Sequence, residues 1–282
     1  MRFQRSSSIQ RACLFATSIF VFPHVIAAQL QNISSPTSNQ NFAQGSDPQA
    51  SSLASQAIAA ILGKSVINDI TLNGNATWGT GGSETGTVVL RALGSTECRI
   101  DIALPDGTRT EIRDASAGYA QGEWVNPDGT TGMFAGQNTM TDAVWFFPAF
   151  TSLAGNPNVT LTYVGLETLD GQSVQHIRSY IANTGPASST ALQQLTTMDF
   201  YLESSTLLPY AVIFNQHPDD NQLVNIPIKV VYSNYQTALG VLVPMHIQRF
   251  MNAASILDIT LTNAQFNTGL TTATFAITGG AQ

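Results

Sequence analysis

Two hydrophobic periods divide the chain beyond residue 46. Between residues 48 and 62 the apolar side chains share one helical stripe. The stripe consists of Leu53, Ala57, Ile58, Ile61 and Leu62. Ser46 or Asp47 can cap the first turn, Pro48 suits the first helical position, and Gly63 suits the residue after the last turn. The pattern predicts an amphipathic helix that must pack on an apolar surface.

From Val66 onward the apolar residues alternate with a period of two. The clearest example alternates Cys98, Ile100, Ile102 and Leu104 with Arg99, Asp101 and Ala103. This alternation is typical of a half-buried strand. We expect Pro105-Asp106-Gly107 to form a three-residue turn that keeps the apolar faces of the flanking strands in phase. That turn would place Asp101 opposite Glu111 on a solvated outer surface.

Turns with the same chemistry recur along the chain. Pro127-Asp128-Gly129 and Leu169-Asp170-Gly171 each separate two strand-like segments. The predicted strands are Gly86–Leu93, Tyr119–Val125, Thr130–Gln137, Val159–Glu167, Gln172–Ala182, Thr197–Glu203, Pro209–Asn215, Leu223–Tyr232, Val241–Met251 and Ser255–Asn267. Short strands at this spacing indicate a single, mainly β domain built on a meandering antiparallel sheet that curls or closes.

One segment, Thr141–Ala154, breaks the strand pattern. Its large apolar residues include Trp145, Phe146, Phe147, Phe150 and Leu153, with Pro148 between two short helical turns. We predict a short aromatic helical insertion that lies against or inside the sheet. These side chains either fill the core or line a ligand site, and the sequence leaves both interpretations open.

The N-terminus has the pattern of a secretory signal peptide. Arg2, Arg5 and Arg11 precede an apolar stretch that ends in Ala27-Ala28, where small residues suit cleavage. We therefore expect a signal peptide at 1–28, a disordered linker rich in Gln, Asn and Ser at 29–46, and a β domain at 47–282. The expected location is periplasmic or secreted.

Removal of the signal would also change the charge and the cysteine count. The chain has 11 basic and 18 acidic residues. Loss of three arginines leaves 8 against 18, a formal charge of −10, which disfavours nucleic acid as a partner. Cys98 would be the remaining cysteine, so no intramolecular disulfide could form. Because no second long apolar run occurs, we do not expect the mature chain to span a membrane.

The sequence contains no recognisable catalytic or metal-binding motif. His176, His217 and His246 are far apart and lack zinc-site spacing, and we expect His176 and His246 to form hydrogen bonds on a sheet face. The polar run His217–Asn221 has too few ordered oxygen ligands for calcium, and a turn between strands is favoured.

The chain also lacks a clear hydrolase motif. The run Gly81–Gly86 lacks the spacing of a nucleophile elbow. A dispersed carboxylate pair remains an open alternative, because such pairs come from distant strands. We therefore expect a protein that is not an enzyme and that needs no cofactor or metal.

Several local motifs, taken in order, resemble the periplasmic lipoprotein carriers (LolA-like and LolB-like). They follow the N-terminal helix and comprise Gly122-Glu123-Trp124 with Pro127-Asp128-Gly129, Leu161–Gly165 with Leu169-Asp170-Gly171, Phe200–Glu203 with Thr206–Pro209, Val231–Tyr235 and Gly240–Pro244. The resemblance spans roughly residues 48–275 and implies an incompletely closed antiparallel barrel whose apolar concavity is covered by helices.

In those carriers the concavity holds acyl chains, so the resemblance implies a lipid-like or lipoprotein acyl ligand here. Burying an acyl chain is favourable by about 0.8 kcal/mol per CH₂. The expected ligand-binding residues are Trp145, Phe146, Phe147, Phe150, Leu153, Leu53 and Ile61. The alternative is an envelope protein-binding or sensing module with a filled core and no small-molecule ligand.

Overall fold

The structure is a computed structural model that describes residues 45–80, 84–141, 158–182 and 189–279, together with the backbone of Ile33–Ser34. Its strands are β1 (Ile33–Ser34), β2 (Val66–Ile67), β3 (Asp69–Trp78), β4 (Glu84–Leu93), β5 (Glu97–Leu104), β6 (Gly107–Asp114), β7 (Gln121–Val125), β8 (Thr131–Met133), β9 (Val159–Leu169), β10 (Gln172–Ile181), β11 (Met198–Glu203), β12 (Pro209–Gln216), β13 (Ile226–Ala238), β14 (Val241–Met251) and β15 (Ala254–Phe266). Its helices are α1 (Pro48–Leu62), α2 (Gly136–Thr139) and α3 (Ser189–Thr196), with a 3-10 helix at Thr272–Phe275.

Strands β3 to β15 form one antiparallel sheet of 13 strands. Their order is β8-β7-β6-β5-β4-β3-β15-β14-β13-β12-β11-β10-β9. The sheet therefore consists of two meanders, β3–β8 and β9–β14, which β15 joins by pairing with β3 on one side and β14 on the other. Strands β8 and β9 are its two edges, so the sheet is not closed into a barrel. The expected mainly β, incompletely closed fold is confirmed.

The N-terminal helix has the predicted bounds and caps. The Asp47 side chain accepts a hydrogen bond from the Gln49 backbone N–H at 2.7 Å, and Gly63 ends the helix with φ +57°. A left-handed residue at this position suits glycine. The buried face of α1 consists of Ala50, Ala54, Ala57, Ile58, Ile61 and Leu62. These residues share one core with the sheet, so the helix covers it as expected.

Most strand predictions are confirmed to within about two residues, and Val241–Met251 is observed with its predicted bounds. The turn after β9 takes positive φ at Asp170 (+50°) and Gly171 (+83°), as a two-residue Asp-Gly hairpin requires. The predicted strand Thr130–Gln137 is too long. It ends at Met133, because Gly136–Thr139 forms α2 instead.

The predicted register between β5 and β6 is wrong. The turn contains two residues, Pro105 and Asp106, so Leu104 pairs with Gly107 and Asp101 lies opposite Thr110 rather than Glu111. Because successive side chains point to opposite faces, this difference of one residue inverts β6. The apolar faces of β5 and β6 are therefore out of phase.

We call the face that carries Leu72, Leu90 and Ile100 the inner face, because it shares its core with α1. In β6 the buried residues Thr110 and Ile112 lie on the opposite, outer face. The sheet thus changes its buried side at the β5–β6 hairpin.

Residues 268–279, which we call the C-terminal strap, cross the outer face near β5 and β6. Phe275 is fully buried there, and the Arg99 guanidinium donates to the Thr274 carbonyl at 3.3 Å. This strap was not predicted from the sequence, because a single buried phenylalanine in a short irregular segment has no periodic signature. It supplies the cover that Ile112 needs on the outer face.

Two buried carboxylates hold the ends of the strap. Asp69 accepts the backbone N–H groups of Thr268, Gly269 and Leu270 at 2.7–3.3 Å, and Glu123 accepts the Thr278 N–H at 3.0 Å. Burial alone would raise the pKa of Asp69, but these hydrogen bonds outweigh it and lower the pKa below its usual value. The strap is therefore fixed at both ends by charge-assisted hydrogen bonds.

Candidate functional site

The inner face beneath α1 is the largest apolar surface of the described chain. Strands from β3 to β5 and from β9 to β15 contribute to it, and their side chains form one core with the helix. Its fully buried members include Leu72, Leu90, Ile177, Val230 and Ile259. An apolar face of this extent, covered among the described residues by α1, is the surface on which an apolar ligand could lie.

The structure places two of the expected ligand-binding residues on α1. Ile61 is fully buried in the core, and Leu53 is half-buried against the same core. The other five, Trp145, Phe146, Phe147, Phe150 and Leu153, lie outside the described residues. Their part in a ligand site remains a prediction.

A cluster of three charged residues, Arg109, Glu111 and Arg249, lies at one end of the inner face. Glu111 bridges Arg109 at 2.7 Å and Arg249 at 3.4 Å. Glu111 belongs to β6 and Arg249 to β14, and four strands separate β6 from β14 in the sheet. Their contact therefore requires the sheet to curl toward its inner face until distant strands meet.

Aromatic and polar neighbours fix the position of Arg109. Its guanidinium stacks 4.3 Å from the centroid of the Trp78 ring and donates a short hydrogen bond to the Asn126 side chain. This cluster was not predicted from the sequence. Arg109 and Glu111 alternate visibly along β6, but the incorrect turn length assigned them to the solvated outer face.

A second contact joins the same two parts of the sheet. Asn138 of α2 donates to the His217 carbonyl at 2.8 Å and accepts from the His217 backbone N–H at 2.8 Å. Nδ1 of His217 lies 3.0 Å from the Val224 carbonyl, so Nδ1 carries the proton. As favoured from the sequence, His217–Asn221 belongs to the connection between two strands.

On the outer face His176 lies between two carboxylates, with Nε2 2.7 Å from Asp199 and Nδ1 3.1 Å from Glu167. Its ring stacks on Tyr201 at 4.4 Å. Burial opposes protonation, but the hydrogen bonds to Asp199 and Glu167 outweigh it and raise the pKa of His176 above its usual value. The expected hydrogen-bonding role on a sheet face is confirmed.

His246 is part of a Ser–His–Asp arrangement on the outer face. Ser233 Oγ lies 3.2 Å from Nδ1, and Asp258 Oδ1 lies 2.9 Å from Nε2. Acyl transfer also needs donors aimed at a developing oxyanion. Ser233 and His246 face each other within the β13–β14 ladder, whose backbone N–H groups are engaged by the sheet. The arrangement therefore supports hydrogen bonding rather than nucleophilic catalysis.

A shallow groove of about 520 Å³ lies beside this arrangement, also on the outer face. Its lining is small and mostly polar: Asn75, Ala76, Thr77, Thr85, Gly86, Thr87, Ala103, Asp258 and Thr260. It has no aromatic platform and no cluster of charges. We assign no ligand to it.

Two buried groups on β5 lie on opposite faces. Cys98 is buried on the inner face, opposite Ala92. Glu97 is 2% exposed, and burial, with a further contribution from Asp114, raises its pKa to about 7.

No group of three or more His, Cys, Asp or Glu side chains within the described residues could hold a metal ion. None of the described helices is long and apolar enough to cross a membrane.

Comparisons with known proteins find similarity in structure alone. No protein-family model matches the sequence, and no curated protein matches it. A domain from Vibrio parahaemolyticus assigned to outer membrane lipoprotein sorting superposes with a TM-score of 0.52 at 12% identity, over 80% of this chain and 96% of that one.

Two further solved structures are similar over the same part of the chain. A DUF1329 family protein from Desulfovibrio piger has a TM-score of 0.49 at 13% identity, covering 81% of this chain and 96% of its own. A LolA superfamily protein from Nitrosomonas europaea has a TM-score of 0.46 at 10% identity, covering 81% and 97%. The similarity to the lipoprotein-sorting domain shows a shared fold, which agrees with the fold that the sequence resemblance implied.

Proposed function

We propose that this chain is an exported, non-enzymatic protein that binds a lipid-like or lipoprotein acyl ligand on its inner face. The observation that carries the proposal is the large, mainly apolar inner face of a curled, open sheet, on which α1 packs. Sharing a fold with a domain assigned to lipoprotein sorting supports it.

The composition of α1 is consistent with weak packing on the inner face, so that a ligand could displace it. Three of its six buried residues are alanines, which bury little apolar area each, and its exposed side is polar. The ends of an open sheet can also move apart, whereas a closed barrel has fixed strand neighbours. A ligand chain would replace part of the contact between α1 and the inner face.

Native mass spectrometry of the protein purified from its envelope fraction tests the proposal. We expect a co-purified lipid mass and saturable displacement of a fluorescent lipophile. Trp145→Ala and Phe146→Ala should weaken probe binding more than they lower the free energy of unfolding. Phe250→Ala is a matched control, because Phe250 packs beneath Lys229, 5.2 Å from its ammonium, on the outer face. Absence of both bound lipid and saturable probe binding would contradict the proposal.

The edge strand β9 favours a second candidate, an envelope protein-binding module. Val164 and Leu166 on this edge are 44% and 62% exposed. Near its start the edge is already covered, because Leu161 bonds to both Ser46 and Asp47. An extended partner segment could pair with the remainder. Purification of one stoichiometric protein instead of lipid would favour this function.

A further inference from the structure

The inner face is not apolar throughout. Arg249 is 5% exposed, and in register it lies between Val230 of β13 and Leu257 of β15. Arg109 lies opposite Ile102 of β5. The Arg109–Glu111–Arg249 cluster is therefore a charged end to a mainly apolar surface.

The composition of the cluster is poorly suited to stability alone. Glu111 bonds to both guanidinium groups, one through each carboxylate oxygen. Each has lost most of its water, with 16%, 12% and 5% of the side chain exposed for Arg109, Glu111 and Arg249. Replacing such buried ion clusters by apolar residues often leaves stability unchanged or higher.

Arg109 has donor capacity to spare. Its Nη1 group donates to Asn126 and its Nη2 group donates to Glu111, but its buried Nε–H has no hydrogen-bond partner. A guanidinium presents its N–H groups in a planar fork that matches the oxygens of a carboxylate or phosphate. Trp78 holds that fork in place from one side.

We propose that the Arg109–Glu111–Arg249 cluster binds the anionic headgroup, carboxylate or phosphate, of an amphiphile whose chain lies on the apolar inner face. This rests on the proposed function, since it assigns the polar end of the same ligand. The headgroup would accept hydrogen bonds from Arg109, with Glu111 keeping both guanidinium groups oriented. A neutral lipid would leave the cluster without its anion.

A pair of fluorescent probes that share one chain isolates the headgroup. cis-Parinaric acid and its methyl ester have the same chain, but only the acid carries a negative charge at pH 8. We expect wild-type protein to bind the acid about tenfold more tightly than the ester, as one charge-assisted hydrogen bond would give. Equal affinities for the acid and the ester, together with no preference for a phosphate lipid over its neutral counterpart, would overturn the headgroup site while leaving apolar binding intact.

Substitution then locates the effect. Arg109→Gln should reduce the preference for the acid over the ester to about twofold or less, and Arg109→Lys should retain an intermediate preference. Arg91→Gln is the matched control, because Arg91 bonds to Asp101 at 2.6 Å on the outer face. An equal loss of preference in Arg91→Gln would overturn the assignment to the inner face.

Two further arms separate the headgroup chemistries and the two proposals. Displacement of the ester probe by lysophosphatidic acid, compared with a monoacylglycerol of the same chain, tests whether a phosphate is preferred to a neutral headgroup. A preference for either anion supports the site. If neither parinaric probe binds saturably, both the headgroup site and the apolar-ligand function are overturned. If the ester alone binds, only the headgroup site is overturned.

Discussion

Two regions of the sheet bury opposite faces. Under α1, strands β9 to β15 bury their inner side chains in the main core, whereas under the C-terminal strap β6 buries Thr110 and Ile112 on the outer side. The inversion begins at the two-residue Pro105-Asp106 turn. A turn one residue longer or shorter between β5 and β6 therefore decides whether β6 presents apolar or charged side chains to the inner face.

The strap-covered region should be as tightly packed as the helix-covered one. Phe275→Ala removes a fully buried ring and is expected to lower the free energy of unfolding by about 3–5 kcal/mol, similar to the 2–5 kcal/mol expected for Ile61→Ala. Urea denaturation measures both values. If a chain without residues 270–282 unfolds at the same urea concentration as wild type, the strap is not part of the core.

The outer face of β5 also carries a carboxyl group, Glu97, whose charged form is disfavoured in the folded state. The pKa of Glu97 rises to about 7, so the folded state binds a proton that the unfolded state releases above its ordinary value of 4.5. Stability should therefore fall as the pH rises from about 4.5 through 7. We expect Glu97→Gln to raise the free energy of unfolding by about 1–3 kcal/mol at pH 8 and by little at pH 4. A loss of stability in the variant at pH 8 would contradict this.

Asp69 should show the opposite pH dependence. Its lowered pKa means that its contribution is present above the unfolded value near 3.8 and is lost as the pH falls through the folded value. Asp69→Asn should cost about 1–2 kcal/mol at pH 7, because the strap N–H groups lose a charged acceptor. The difference from wild type should shrink below pH 3, and denaturation at both pH values checks this.

The smallest expected effect lies on the outer face of the helix-covered region. Because the pKa of His176 is raised, its contribution to stability is complete below its unfolded value near 6.5 and is lost as the pH rises through the folded value. We expect this contribution to the free energy of unfolding to be smaller than those of Phe275, Glu97 and Asp69. An NMR titration of the ring protons checks it, and a midpoint at or below 6.5 would be inconsistent with bonding to Asp199 and Glu167.

The sequence predicts the individual helices, strands and turns well, but it predicts poorly which face a strand presents and which distant strands pair. The caps of α1 and the Asp170-Gly171 turn follow from residue preferences that act within a few positions. The face of β6 does not, because Pro105-Asp106-Gly107 is compatible with turns of two or three residues. An error of one residue there moved Arg109 and Glu111 to the wrong face.

The charged cluster and the strap also depend on distant pairings. Arg249 reaches Glu111 only because β15 inserts between β3 and β14 and the sheet then curls. No local pattern encodes that insertion. Phe275 is likewise buried by strands more than 150 positions earlier in the chain, on a face that was predicted to be solvated.

The position of β15 has a consequence for how the chain folds. Until residues 254–266 have been made, β3 and β14 are both unpaired edges, and the two meanders share no strand. Pairing β15 with β3 closes a loop of about 180 residues, and such non-local pairing makes folding slow. The pairing of β15 with β3 and β14 is therefore the last step in forming the sheet. Late completion of the sheet would suit a chain that crosses a membrane before it folds, as the expected signal peptide implies.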